Sequence, residues 1–128
     1  MNGEDVMRTL RVLVLIVLGL LLVTAAQGED WPQFRGLNRD GKAPETGLLQ
    51  EWPADGPKLL WSASGLGAGL SSVAVSDGMI YATGFVTEKK EGVLSAFDME
   101  GKLLWQTNYG AEFDDESYAG TRSTPTVD

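Results

Sequence analysis

The residues with the most chemical potential are acidic and close together. Glu112, Asp114, Asp115 and Glu116 place four carboxylates within five positions. Calcium favours several carboxylate oxygens, so Asp114, Asp115 and Glu116 are the candidate metal ligands. Their spacing is not that of an EF-hand loop, and a solvated acidic loop pinned by Phe113 and Tyr118 is the plainer reading. Arg122 follows closely and could meet an anionic ligand or pair with Asp114 or Asp115. Trp31 and Arg35 offer a second possible ligand site, against the simpler expectation that Trp31 and Phe34 pack their rings on a core. Ser64-Gly65-Leu66-Gly67-Ala68-Gly69 invites a nucleotide reading, but the spacing fails. A dinucleotide fingerprint needs glycine where Leu70 stands, and no Gly-Lys-Ser/Thr follows. The chain has no cysteine and no histidine, which excludes a thiolate nucleophile, a Ser-His-Asp triad and a Cys/His zinc site.

These candidates need a scaffold, and 128 residues allow one ordinary domain. Sixteen glycines and five prolines fit a turn-rich β protein. A net charge of −8 argues against a sequence-independent grip on nucleic acid, which needs a basic face. At the N-terminus, Arg8 and Arg11 precede the apolar run Val12–Val23, and small residues stand at Ala26 and Gly28. This pattern predicts a helical export signal over residues 1–28, cleaved after Gly28. The run falls short of the roughly 20 apolar residues of a spanning helix, so a membrane anchor through residues 12–26 is the lesser alternative. Either way the chain from Glu29 onward belongs outside the cytoplasm, in the periplasm or beyond. Residues 29–57 read as an extended arm and linker.

From residue 58 the pattern is one of short strands. Ser71–Val75 and Met79–Phe85 flank the hairpin signal Asp77-Gly78. Gly92–Asp98 and Leu103–Thr107 flank Asp98-Met99-Glu100-Gly101, with Glu88–Glu91 as a solvated tip. The ends of this unit recur. Pro57-Lys58-Leu59-Leu60-Trp61-Ser62 matches Gly101-Lys102-Leu103-Leu104-Trp105-Gln106 at a spacing of 44, and Ser123–Val127 matches Ser71–Val75 at 52. Four antiparallel strands repeating every forty-odd residues are the signature of a propeller blade. The sequence therefore predicts an all-β chain with one full blade, residues 71–107. A closing strand at 59–62 precedes it, the start of another blade at 123–128 follows, and the ring is incomplete.

Ala96-Phe97-Asp98-Met99-Glu100-Gly101-Lys102-Leu103-Leu104-Trp105 resembles the docking motif of pyrroloquinoline-quinone-type propellers, one residue short before Gly101. Asp30-Trp31-Pro32-Gln33-Phe34-Arg35-Gly36 resembles the leader of secreted propellers of this type in planctomycete-like bacteria. The resemblance implies structural roles for Ala96, Asp98, Gly101 and Trp105, with Trp61 as the equivalent for the closing blade. It implies a binding or assembly scaffold, whose partners are other proteins or further blades. The alternative it implies is the N-terminal part of a quinoprotein dehydrogenase, with pyrroloquinoline quinone and calcium on the ring axis. No residue of this chain is assignable to either cofactor, and no catalytic residue is assignable.

Overall fold

The computed structural model describes residues 28–113 and 120–128. The leader and the candidate ligands Asp114, Asp115 and Glu116 lie outside the described residues. The described chain is all-β and contains no helix. Four strands form one antiparallel sheet in the order β1(Ala74–Ser76), β2(Met79–Val86), β3(Glu91–Asp98) and β4(Leu103–Ala111).

Local chemistry accounts for the connections. Asp77 and Gly78 both take positive φ, 51° and 71°, so Ser76 and Met79 pair directly across a two-residue turn whose twist suits the hairpin. Asp30 fixes this turn from outside, as its Oδ2 accepts hydrogen bonds from Ser76 Oγ at 3.1 Å and the Asp77 N–H at 3.2 Å. Between β2 and β3, residues 87–90 form the charged tip, and Lys90 takes a φ of 54°.

β2 and β3 are the two central strands, and with β1 they hold the core. Val93, Ala96 and Phe97 are buried, as are Ala74, Ala82 and Phe85. Ser95 is buried too, and the cross-strand Gln106 side chain satisfies it with a 2.8 Å hydrogen bond. β4, by contrast, is exposed along its whole length. It runs four residues beyond the expected end at Thr107, and two bulges make that possible. Tyr109 is the unpaired residue where Val93 faces Asn108 and Gly92 faces Gly110, and Leu104 is unpaired where Ala96 faces Trp105 and Phe97 faces Leu103.

The edges of the sheet differ. Trp31 exchanges backbone hydrogen bonds of 2.8 and 2.9 Å with Val75, which caps the outer side of β1. Further along β2, Ala68 exchanges two bonds of 2.8 Å with Phe85. The expected strand Ser71–Val75 is thus broken. The chain leaves the ladder after Ala68, where Gly69 bridges Thr121, and rejoins it at Ala74. Side chains span the gap, with Ser71 Oγ donating to the Thr83 carbonyl at 3.3 Å and Thr83 Oγ1 donating to the Ser123 carbonyl at 2.9 Å.

Two further expected strands are not formed. Leu59–Ser62 has no ladder hydrogen bonds, and Leu59 and Leu60 are exposed. Ser123–Val127 joins the fold only through separate contacts, including Ser72–Thr124 at 2.7 Å and Val127 N to the Pro32 carbonyl at 2.9 Å. Leu59–Ser62 instead begins a segment that crosses one face of the sheet. Trp61 sits at the β3–β4 turn, the Gly65 carbonyl faces Gln106, and the Leu66 carbonyl lies against Gly84. A side chain at Gly84 would collide with Leu66, which explains the glycine in mid-strand.

Candidate functional site

The β3–β4 turn gathers most of the residues singled out by the docking motif. Asp98 builds it. Its Oδ1 accepts the Glu100 N–H at 3.1 Å and the Lys102 N–H at 2.8 Å, while its carbonyl accepts the Gly101 N–H at 3.1 Å. Gly101 takes a φ of 84°, and the indole of Trp61 lies directly on it. A Cβ at Gly101 would stand 2.5 Å from Trp61 Cδ2. Trp61 Nε1–H donates to the Met99 carbonyl at 2.9 Å. Indole, glycine and carboxylate thus form one cluster. A large apolar ring rests on bare backbone, and its single polar group is satisfied.

Trp105 takes a different position. It pairs with Ala96, which is fully buried, and its ring meets Tyr81 at 6.1 Å with planes tilted by 55°. Side chains alternate along β2, so Tyr81 and Gly84 project from opposite faces. Trp105 and Tyr81 therefore occupy one face, and the segment led by Trp61 covers the other. Trp105 remains 42% exposed, beside exposed Leu103 and Leu104. Leu103 pairs with Phe97 and Trp105 with Ala96, neighbours on β3, so these two side chains project from opposite faces.

A second cluster was not foreseen. Tyr109, the bulged residue, lays its ring over Gly92, where a side chain would collide with it. Its hydroxyl donates a short hydrogen bond to Glu112 Oε1, and Thr121 Oγ1 donates to Glu112 Oε2 at 2.8 Å. Burial, followed by the neighbouring Glu112 carboxylate, pushes the Tyr109 phenol above its usual pKa. Tyr109, Glu112, Phe113, Arg122 and Ser123 border a cavity of about 360 Å³. The only sequence signal for this cluster was the acidic run that Glu112 opens. Glu112, the residue after β4, is thereby held to Thr121.

Trp31 and Arg35 border separate cavities. Trp31 is held at β1 with its ring under Gly36, whereas Arg35 stacks on Phe34 at 5.6 Å and borders a separate cavity with Gln33 and Arg39. Phe34 does not pack on the core as expected, for it is 61% exposed. The glycine-rich segment 64–69 lies against the sheet. It lets backbone approach backbone at Gly84, Phe85 and Thr121.

No protein-family model matches this chain, and no curated protein or solved structure matches it either.

Proposed function

We propose that this chain is an exported scaffold of propeller type, whose four-stranded unit serves binding or assembly and not catalysis. One observation carries the reading. The unit has a tryptophan already seated on its own turn through Trp61 and Gly101, and it presents a sequence-equivalent tryptophan, Trp105, uncovered on the opposite face. The Lys-Leu-Leu-Trp pattern occurs at both places. In the first copy the indole buries against a glycine turn. The second copy, in the same chemistry, calls for the same kind of receptor on another β unit. That unit is either a further blade or a protein partner that supplies a glycine-bearing turn. The half-exposed Trp105 with Tyr81 is a suitable anchor, since aromatic residues dominate the energy of such contacts.

The test is association of the purified chain, followed by sedimentation and by amide hydrogen exchange along β4. The expected result is concentration-dependent assembly with protection of β4 in W61A, whose Gly101 seat is open, lost when Trp105 is also replaced by Ala. A W61A chain that stays monomeric at high micromolar concentration, with β4 amides exchanging freely, would sink the proposal.

A further inference from the structure

The strongest unexplained feature is at the start of the described chain. The backbone N–H of Glu29 donates to Glu45 Oε1 at 3.0 Å, and among the described residues Glu45 Oε2 is buried with no hydrogen-bond partner. A buried carboxylate oxygen without a donor is costly, and each such group calls for an explanation. Glu29 is also the first residue after the expected cleavage point, which the small residues Ala26 and Gly28 define.

We infer that Glu45 is the receptor for a new amino terminus, created at Glu29 when the leader is removed. This rests on the export reading above. Hydrolysis of the Gly28–Glu29 peptide bond by an export peptidase adds one water. Gly28 leaves with the new carboxylate, and Glu29 keeps an amine that takes up a proton. A peptide nitrogen has one hydrogen to give, and Glu45 Oε1 already receives it. An ammonium has three, so the same nitrogen then also serves Oε2, and a neutral-donor contact becomes a charged one.

The surroundings favour the positive charge. Glu29, Asp30, Asp40 and Glu45 border one cavity of about 390 Å³, with Lys42 as the one cation there. Asp40 accepts the Lys42 backbone N–H at 3.1 Å, which shapes the loop and leaves the Lys42 ammonium uninvolved in that bond. The next residues are fixed as well, Asp30 to the β1–β2 turn and Trp31 to β1. The new terminus is therefore the first atom of an anchored segment and not the end of a loose tail.

The experiment uses the full chain, exported with its own leader and purified. Mass spectrometry gives its first residue, and the terminal amine is then titrated by its rate of acylation in folded and urea-denatured protein. The expected start is Glu29. The expected folded amine titrates about one unit above the denatured one, which lies near the ordinary α-amino value of about 8. E45Q, which keeps the shape and removes the charge, should abolish the difference. A mature chain that starts elsewhere overturns the inference together with the assigned cleavage point. A chain that starts at Glu29, with an amine titrating alike in both states, overturns the clamp and leaves export standing.

Discussion

If Trp61 is seated on Gly101 as described, the two positions must be energetically coupled. G101A perturbs the turn in two ways. The residue holds a φ of 84°, and an L-residue in the left-handed region costs roughly 1–2 kcal/mol. The new methyl would also stand 2.5 Å from Trp61 Cδ2, well inside ordinary contact, so the indole must lift. Lifting it breaks the 2.9 Å hydrogen bond from Nε1 to the Met99 carbonyl, worth about 0.5–1.5 kcal/mol net. The single substitution should therefore cost about 2–3 kcal/mol. In a W61A background only the backbone contribution remains, and G101A should cost about 1–2 kcal/mol there. Urea unfolding of the four proteins, wild type, W61A, G101A and the double variant, measures the difference. A coupling of about 1 kcal/mol is expected, as for residues in direct contact. If G101A costs the same in both backgrounds, Trp61 is not docked on Gly101, and the reading of Trp105 as its uncovered counterpart loses its basis.

Three other outcomes are expected. Asp98→Ala removes both side-chain bonds to the Glu100 and Lys102 N–H groups and should lower stability by about 1–3 kcal/mol, read from the urea midpoint. Tyr109 has its phenol pKa raised in the folded state, so its contribution is complete below the unfolded value near 10 and is lost as pH rises through the higher folded value. Stability should thus fall on the alkaline side of about pH 10, and Glu112→Gln should reduce that fall, as followed by tyrosinate absorbance and unfolding. Gly92→Ala pushes the Tyr109 ring off its seat and should return the phenol toward its usual titration; a Tyr109 that still titrates high would contradict the placement of its ring.

The sequence was most legible where structure is set by a few adjacent residues. Asp77-Gly78 and Asp98–Gly101 each carry their own turn chemistry, and both turns are formed. The buried residues Val93, Ala96 and Phe97 of β3 were readable for the same reason, because a central strand with apolar β-formers reports its own environment. Legibility failed where the partner decides. Leu59–Trp61 and Leu103–Trp105 share one pattern, yet only the second pairs as a strand, since β3 is beside it. The extension of β4 through Asn108 and Gly110 was hidden because neither residue favours a strand and the bulge at Tyr109 carries no local signature. The glycines of segment 64–69 looked like turn residues. Their role at Gly84 and Phe85 depends on a crossing that the sequence does not display. The Glu45 carboxylate gave no sign at all, since its partner lies sixteen residues away across irregular chain.

The opposite placement of Trp61 and Trp105 restricts what this unit can build. Each copy has one seat, already filled at Gly101, on the side where Trp61 lies, and one plug, Trp105, on the other. A two-fold axis would set plug against plug and leave neither in a seat. A contact that seats Trp105 on the Gly101 turn of another copy must displace that copy's Trp61 and would be head-to-tail, and such contacts are never self-limiting in pairs. Whether they end depends on a single geometric quantity, the rotation from one unit to the next. If that rotation divides a full turn, the units close into a ring with no free plug. If it does not, they continue as a helical filament with a half-exposed Trp105 at the growing end.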